Sequence, residues 1–381
     1  MEHLIHYALQ STHFTRLPPI EPAMSAKAFI EARKSPGLDP TTPPPAVQAR
    51  FTAFLNAVDS SDRDPRLAYF RPLLADAASG RDRRAMLRAE YLRVMTFLYG
   101  KEFTSRGRPE ATADLYRTRG LSTDTAVEAG YSVQVGLGVL KALEPARRVR
   151  RVLIVGPGID LAPRTAMLES GPPQSYQPWA IIDAVVSLGF STLDDLEVVG
   201  ADINPRVVDH LRAARQAPPV LRLVTGLRET EAVTFSTDYR DYFAALGRSV
   251  GSIQPGAKAP AGHPAKTVTV SRKAAALLRA EPLNIVTERL VVERGEQFDL
   301  VIATNILPYF DNIELLLALS NISAMMSPGA ILLHNELRPS LPEDAAAAGL
   351  PVEQSRQVIV ATVKSAPPLV DTIWLHRKAL K

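Results

Sequence analysis

The chain has 381 residues, of which 46% are hydrophobic and 22% charged, so it is long enough for one large or two moderate globular domains. The formal net charge of +4 is too small to indicate a nucleic-acid-binding protein, and none is expected as a partner. The chain has no cysteine, which excludes disulfides, thiolate metal sites and cysteine nucleophiles but leaves the cellular compartment open.

The N-terminal residues 1–19 lack the charge pattern and apolar core of a signal peptide. No run of the sequence approaches the ~20 apolar residues that a membrane helix needs, so we expect no transmembrane segment. We expect a short terminal helix and a cytoplasmic protein. The alternative is that these residues are the remnant of a processed or truncated export or anchor segment.

Residues 1–145 are predicted to form a mainly helical N-terminal region. Prolines are dense over residues 17–48, which indicates an irregular arm, because proline breaks helices and lacks an amide donor. Apolar residues then recur at spacings of three and four, which predicts helices over 49–58, 66–77, 81–103, 110–118 and 123–143.

Residues 146–381 are predicted to form a second domain, because strands and helices now alternate. Short apolar runs predict strands at 151–156, 196–203, 298–305 and 330–336, with helices at 160–170, 178–189, 205–215 and 312–326. This alternation is typical of a doubly wound, mostly parallel α/β sheet. Residues 354–364 and 369–378 predict an antiparallel finish, with Pro367-Pro368 between them. Residues 226–282 are predicted to be an insertion, with a mobile loop in its Gly/Pro/Ala-rich middle and a helix over SRKAAALLRAE.

Two features at predicted strand ends indicate a ligand site, because open α/β sheets bind ligands beyond the carboxyl ends of their strands. Gly156-Pro157-Gly158 follows the first strand, where two glycines let the backbone approach a ligand. Asp202 ends the second strand, where one carboxylate can accept from both hydroxyls of a ribose. Asn204 is expected to cap the next helix, which leaves Asp202 free.

The spacing disfavours two common cofactor classes. A dinucleotide fingerprint requires a third glycine, where this chain has Leu161, and an acidic residue about 20 positions later. Here the acid follows Gly158 by 202 − 158 = 44 positions. No G-x-x-x-x-G-K-[ST] loop is present, so a nucleotide triphosphatase is not expected, and the scattered histidines form no metal-ligand motif.

The segments VLIVGPGID, VVGADINPRVV, FDLVIATNILPYF and SPGAILLHNE resemble class I S-adenosylmethionine-dependent methyltransferases in order and spacing, over about residues 148–378. NILPYF and HNE are similar to the N-x-x-x-Y-F and H-S-E of chemotaxis-receptor (CheR-type) enzymes. The resemblance implies a Rossmann-like, seven-stranded, doubly wound sheet with an antiparallel last strand. The chain departs from the family pattern at Ile154, Asp160 and Thr304.

The resemblance also implies a cofactor, S-adenosylmethionine, and roles for individual residues. The backbone of Gly156, Pro157 and Gly158 would run close to its methionine portion, and Asp160 would hold its amino group. Asp202 would hold the ribose, Ile203 would pack on the adenine, and Glu288 is the candidate for the adenine amino group. Glu288 lies on a third strand that we expect at 283–291; a solvated surface Glu is the alternative.

The methyl acceptor is expected to approach Asn305 and Tyr309, and Asn305 could orient the acceptor or bind the cofactor. Plain core packing is the alternative for Tyr309. His334 is a candidate base, because the unperturbed imidazole titrates near neutral pH, although a structural histidine is the alternative. Four further side chains are candidates for covering the cofactor or binding the acceptor: Tyr176, Trp179, Tyr239 and Arg240. The exposed face of a helix is the alternative for Tyr239 and Arg240.

The sequence therefore predicts a methyltransferase that acts on a small molecule or a protein side chain. The alternative is a non-catalytic S-adenosylmethionine-binding or scaffold protein with a degenerate methyltransferase fold. The oligomeric state stays open.

Overall fold

The computed structural model describes residues 2–32, 42–60, 63–77, 82–104, 126–160, 172–256, 261–293 and 295–380. Their contacts divide the chain into two compact units: Met1–Asp124 with Asp160–Pro173, and Thr125–Ile159 with Gln174–Lys381. The helices predicted at 110–118 and 160–170 lie outside the described residues.

The first unit is helical in its described part, and prolines begin three of its helices. Proline suits a first turn because the amide it lacks has no intrahelical acceptor there. The helices are α1 (Glu2–Gln10), α2 (Pro22–Ala32), α3 (Pro45–Asp59), α4 (Pro65–Ala77) and α5 (Arg83–Tyr99), and a π-helical turn, Gly100–Thr104, follows.

One buried arginine organises the first unit. Arg50 of α3 donates to the carbonyl oxygens of Ala8 (2.9 Å), Leu17 (2.7 Å) and Ser11. These carbonyls lie at and beyond the last turn of α1, where backbone acceptors lack intrahelical donors and a cation is favoured by the helix dipole. The guanidinium therefore ties the end of α1, and the chain that follows it, to α3.

The second unit is built on an eight-stranded sheet in the order β4-β10-β11-β9-β8-β1-β2-β7. Strands β7, β2, β1, β8 and β9 are parallel, and β11, β10 and β4 are antiparallel. The strands of this sheet are β1 (Arg151–Val155), β2 (Glu197–Asp202), β4 (Val233–Phe235), β7 (Leu278–Pro282), β8 (Phe298–Ile302), β9 (Met326–His334), β10 (Val352–Val363) and β11 (Ala366–Arg377).

The helices of the second unit connect or cover these strands. They are α6 (Val127–Leu143), α7 (Gln177–Ser187), α8 (Pro205–Gln216), α9 (Thr237–Ala245), α10 (Arg272–Leu277), α11 (Asn312–Met325) and α12 (Leu341–Ala347), with a 3-10 turn at Leu307–Tyr309. The predicted α/β class with a mainly parallel sheet is confirmed. Every helix in the described ranges is too short or too polar to span a membrane.

Two expectations about the sheet are wrong. It has eight strands rather than seven, because β4 pairs with β10 at the sheet edge. The third parallel strand is β7, not residues 283–291. The Ala- and Leu-rich sequence after Ser271 has high helix propensity, yet the helix ends at Leu277 and the chain extends to pair with β2, so tertiary pairing overrides local propensity.

The insertion is also more ordered than its composition indicates. Strand β6 (Ala265–Val270) pairs with both β3 (Val220–Val224) and β5 (Gly251–Pro255), which makes a separate antiparallel three-stranded sheet. Both ends of the predicted loop therefore lie in paired strands, and residues 257–260 lie outside the described part. The alternating side chains of Lys266, Val268 and Val270 are buried. This period-2 pattern is short and directly follows a stretch rich in glycine and proline, whose composition favoured a loop.

The C-terminal hairpin turns at Lys364-Ser365, with Ser365 at φ 62°, and not at the two prolines. Pro367 and Pro368 lie within β11, where the pairing with β10 is irregular between Ala361 and Val363. A bulge tolerates proline because the local ladder lacks a regular amide donor.

Helix α6 belongs to the second unit, so the contacts divide the chain before it and not at the predicted residue 145. It packs on β11 and β9, where a Cβ at Gly136 would lie 3.0 Å from Ile373 and 3.1 Å from Leu333. Its N-terminal end is bound by Tyr176, whose hydroxyl accepts from the Gly130 amide (2.9 Å) and contacts the Ala126 and Val127 carbonyls.

Two glycines of α6 give a matched test of this packing. A Cβ at Gly130 would lie 2.4 Å from the Tyr242 hydroxyl and 2.8 Å from that of Tyr176, whereas one at Gly138 would meet nothing within 4 Å. We expect Gly130→Ala to destabilise the protein by roughly 1–3 kcal/mol through overpacking. Gly138→Ala should stabilise it by about 0.5–1 kcal/mol through helix propensity. Chemical denaturation measures both; equal effects would contradict the close approach at Gly130.

Candidate active site

The turn after β1 contacts the turn after β8 at the carboxyl edge of the sheet. Gly156 has φ 66°, and a Cβ there would lie 2.4 Å from Cγ2 of Ile306. The Gly156 amide donates to the Ala201 carbonyl of β2 (2.8 Å). Gly158 also has a left-handed backbone, at φ 68°. Position 156 requires glycine because a side chain there would strain the left-handed backbone and would overlap Ile306. The close approach of the two turns therefore depends on this glycine.

The Asp202 carboxylate lies between this glycine turn and the start of α8. Its Oδ1 accepts from the Asn204 amide (2.8 Å), but among the described residues its Oδ2 has only a long contact of 3.4 Å with the Gly158 amide. The side chain is 8% exposed, and burial raises the pKa of this carboxyl against the lowering effect of the two amides. Oδ2 is thus weakly held at the place where a ribose was predicted.

The neighbouring predictions at this edge have mixed outcomes. Asn204 caps α8 by accepting from the Arg206 amide (3.0 Å), as predicted. Ile203 is 50% exposed, which is unusual for an isoleucine next to a buried carboxylate and suits a face that a flat ligand would cover. Glu288 is exposed and follows β7 instead of lying on a strand, and its side chain accepts from the Asn284 amide (3.2 Å) just past the end of β7.

Asp160 is half-buried and is the last described residue before the 161–171 gap. It belongs by its contacts to the first unit, and its predicted role stays a prediction. Pro157 is buried next to the β2 backbone, since a Cβ at Gly200 would lie 3.6 Å from its ring.

Asn305 follows β8 in a left-handed conformation, φ 61°, and is bound reciprocally to Asn335 after β9. The Asn305 amide donates to Asn335 Oδ1, and Asn335 Nδ2 donates to Asn305 Oδ1, both at 2.9 Å. A non-glycine residue at positive φ is costly, and such strain concentrates at functional sites. The paired side chains of neighbouring strands hold this strained turn in place.

The orientation of both amides follows from Asp371 of β11. Asn335 also donates to the Asp371 carboxylate, which accepts from the Ser132 hydroxyl of α6 as well (2.6 Å). A carboxylate only accepts, so the Asn335 NH₂ group must face both Asp371 and Asn305 Oδ1. The Asn305 Oδ1 is thereby engaged, and its Nδ2 is left as a donor on an exposed side chain. Burial raises the pKa of Asp371, and its three donors oppose that rise.

A second polar contact fixes the same turn from the other side. Gln177, at the start of α7, donates from Nε2 to the Thr304 hydroxyl at 2.5 Å, and both side chains are buried. Gln177 of α7 and Asn335, which follows β9, therefore bond directly to residues 304–305, and Asp371 of β11 and Ser132 of α6 act on them through Asn335. Tyr309 is half-buried at the end of the 3-10 turn that follows.

Tyr176 and Trp179 were predicted to cover a ligand, but both are buried. The Tyr176 hydroxyl supplies the hydrogen bonds that the first turn of α6 lacks, and burial raises the pKa of this phenol. The Tyr176 phenol therefore binds the start of α6, and Trp179 is buried within the second unit.

Tyr239 and Arg240 were predicted to recognise the acceptor, but each side chain binds a glutamate of the second unit. Tyr239 is fully buried on α9 and donates to Glu128 Oε1 of α6 (3.1 Å), an oxygen that also accepts from the Gly226 amide (2.7 Å). Arg240 forms an ion pair with Glu229. The two hydrogen bonds to Glu128 attach the insertion to α6, whereas the Arg240–Glu229 ion pair lies within the insertion.

His334, the predicted base, is 0% exposed and lies in a chain of neutral hydrogen bonds. Its Nδ1 accepts from the Glu336 amide (3.1 Å), so its Nε2 carries the proton and donates to His376 Nε2 (2.8 Å). His376 Nδ1 then donates to the Leu350 carbonyl (2.8 Å). Both nitrogens of His334 are occupied and its ring stacks on Trp374, so the geometry favours the structural alternative.

Sequence reasoning missed Asn335, Asp371 and Ser132 as members of the site. Asn335 stood in the quoted HNE segment without a role. Asp371 could have been noticed, because it is in phase with Ile373 and Leu375 on the apolar face of β11. Ser132 carries no such signal. Within the described ranges, no group of three or more His, Asp or Glu residues could hold a metal ion.

No protein-family model matches the chain, and no curated protein matches it in sequence. Solved structures do match. One is the N-methyltransferase NodS of Bradyrhizobium japonicum WM9 with S-adenosyl-L-homocysteine (TM-score 0.33, 11% identity, 65% of this chain and 87% of that one). Another is the magnesium protoporphyrin IX methyltransferase ChlM of Synechocystis PCC 6803 with bound SAM (0.32, 10%, 66% and 81%). A third is the [4+2]-cyclase SpnF (0.33, 10%, 69% and 86%). At these values the similarity does not indicate what this chain does.

The histidine pair predicts a pH dependence of stability. Burial lowers the pKa of both His334 and His376, and the neighbouring His376 charge lowers that of His334 further. Because folding lowers the pKa of both histidines, the unfolded chain binds more protons below the ordinary histidine pKa of 6.5, so stability falls as pH falls through that value. Between pH 7.5 and 5.5 we expect the pair to contribute a loss of roughly 1–3 kcal/mol.

The measurement compares urea unfolding of wild type and His334→Gln/His376→Gln at both pH values. The amides keep a hydrogen-bonded pair that does not titrate, and the wild-type-minus-variant difference removes the contribution of the buried carboxyls. An equal change with pH in the two proteins would show that the pair is not held neutral.

Proposed function

We propose that this chain is an S-adenosylmethionine-dependent methyltransferase acting on a small-molecule or protein side-chain acceptor. The observation that carries the proposal is Asp202: a buried carboxylate at the tip of β2, with one weakly held oxygen, beside the glycine turn and next to exposed Ile203. This arrangement suits the ribose of a cofactor. The glycine turn lacks the third glycine of the dinucleotide fingerprint.

The residues at this edge fit the cofactor. The left-handed Gly156 and Gly158 keep side chains away from the path of the methionine portion. Asp202 would bind the ribose, Ile203 would cover one face of the adenine, and Glu288 would lie near its amino group. When bound, the cofactor supplies an electrophilic methyl group. The protein's own contribution is then to position the acceptor and control charge.

The acceptor side of the proposed site is the turn of Asn305 and Tyr309. Asn305 Nδ2 is an exposed donor whose orientation is fixed through Asn335 and Asp371. The finer similarity to CheR-type enzymes would make the acceptor a glutamate side chain.

The non-catalytic alternative predicts cofactor binding without turnover, so release of S-adenosylhomocysteine with candidate acceptors distinguishes it from the proposed enzyme.

Asp202→Ala tests the cofactor site. Loss of charge-assisted hydrogen bonds to the ribose should weaken S-adenosylhomocysteine binding by ~1.5–3 kcal/mol, measured by isothermal titration calorimetry. Asp209→Ala is the control, because Asp209 lies on the adjacent α8 with its side chain 75% exposed. Asp202→Asn keeps the size of the buried side chain and should weaken binding in the same direction.

Unchanged affinity in both Asp202 variants would show that the ribose lies elsewhere. Failure of the wild type to bind S-adenosylhomocysteine at all would overturn the proposed function.

A further inference from the structure

One buried carboxylate at the carboxyl edge of the sheet has no role in the site as described so far. Glu336 follows β9, and its side chain is 7% exposed. Its Oε1 accepts from the Arg338 amide (2.8 Å), while its Oε2 is buried without a hydrogen-bond partner in the described part of the chain. A buried, unpartnered carboxylate oxygen is unfavourable, and native structures retain few such groups without a function.

The neighbours of Glu336 place it beside the proposed acceptor turn. Strands β8 and β9 are adjacent and parallel, and they end at the same edge. Asn335, the preceding residue, is bonded to Asn305, and Arg338 donates to the Phe310 carbonyl (2.7 Å). The segment that carries Glu336 is therefore held at one end against Asn305 and at the other against the residue after Tyr309.

Arg338 does not occupy the open oxygen. Its guanidinium donates to the Phe310 carbonyl and, at 3.4 Å, to the Asn312 side chain. Among the described residues, no ion pair within 4.0 Å joins it to Glu336. Burial raises the pKa of the Glu336 carboxyl, and the Arg338 charge and the backbone amides lower it only in part. The group is thus a hydrogen-bond acceptor with one vacant position.

We propose that Glu336 Oε2 binds an N–H or O–H group of the methyl acceptor, which makes the acceptor an amine or a hydroxyl and not a carboxylate. This inference rests on the proposed function. A carboxylate acceptor would bring two like charges together at a buried site unless one of them were protonated. As the acceptor nitrogen or oxygen forms its bond to carbon, the S–C bond breaks with its electron pair on sulfur, and the acceptor's proton passes to Glu336 Oε2.

The test uses two probes that share the nucleoside and the amino-acid portion. S-adenosylhomocysteine lacks the transferable methyl group, whereas sinefungin carries a primary ammonium group at the position of that methyl group. An open carboxylate oxygen beside this position should make the wild type bind sinefungin more tightly than S-adenosylhomocysteine, by roughly tenfold or more. Glu336→Gln should remove that preference and leave S-adenosylhomocysteine affinity unchanged, as measured by calorimetry.

Glu343→Gln is the matched control, because Glu343 is exposed seven positions further along the chain and carries the same change. It should keep the preference for sinefungin. Thermal unfolding separates a binding role from a structural one: Glu336→Gln removes a buried charge with a vacant oxygen and should not lower the unfolding temperature.

The outcomes are distinguishable. If the wild type binds S-adenosylhomocysteine but Glu336→Gln leaves the sinefungin preference intact, or if no preference exists, the inference is overturned and the proposed function stands. A lowered unfolding temperature with an unchanged preference would assign Glu336 a structural role. If the wild type binds neither probe, the proposed function and the inference both fail.

Discussion

Ile306 packs against Gly156 so closely that a Cβ atom at residue 156 would overlap its side chain. This contact joins the turn after β1 to the turn after β8, and the other features of the candidate site depend on it. Because β1, β2 and β8 are parallel, the glycine turn, Asp202 and Asn305 lie at the same edge of the sheet, and the contact fixes how closely the two turns approach there. Asn305 follows β8 in a left-handed conformation, which the reciprocal hydrogen bonds with Asn335 stabilise.

The alternation of side chains along β9 explains which of its residues serve the site. Leu333 faces α6, as its approach to Gly136 shows, and Asn335 continues that face towards Asp371 and Ser132. His334 faces the other way, against Trp374 and His376, and its Nδ1 accepts from the amide of Glu336, which follows the strand. The residue chosen from sequence as a base therefore lies inside the fold, whereas Asn335 and Glu336 follow the strand at the carboxyl edge.

Sequence patterns predicted the parts of the fold that local physics determines. The apolar runs ending at Val155, Asp202 and Ile302 are strands because they are buried on both faces, and Asn204 caps α8 through a short-range bond. The strand after Leu277 could not be predicted, because its Ala-rich sequence favours helix and only pairing with β2 makes it extended.

Side-chain partners were the other part that sequence could not supply. The charged and aromatic pattern of residues 237–243 suits recognition of a ligand as well as it suits the exposed face of a helix. Tyr239 is instead buried and bonded to Glu128 of α6, which lies 111 residues away along the chain. Ser132 and Asp371 are further apart still along the chain, yet they share one hydrogen bond. Long-range pairing of this kind leaves no local pattern to detect.

Asn305 and Glu336 offer complementary chemistry to an acceptor at the carboxyl edge of the sheet. Asp371 fixes Asn335, and Asn335 engages Asn305 Oδ1, so Asn305 presents its NH₂ group as a donor. Glu336 Oε2 is an acceptor with no hydrogen-bond partner among the described residues. An amine or a hydroxyl has both a lone pair and a hydrogen and can satisfy each of these groups, whereas a carboxylate can accept from Asn305 but leaves Glu336 facing a like charge. The same pairing makes Asp371 a positioning residue: its carboxylate touches neither proposed ligand, but it determines which end of the Asn305 amide the acceptor meets.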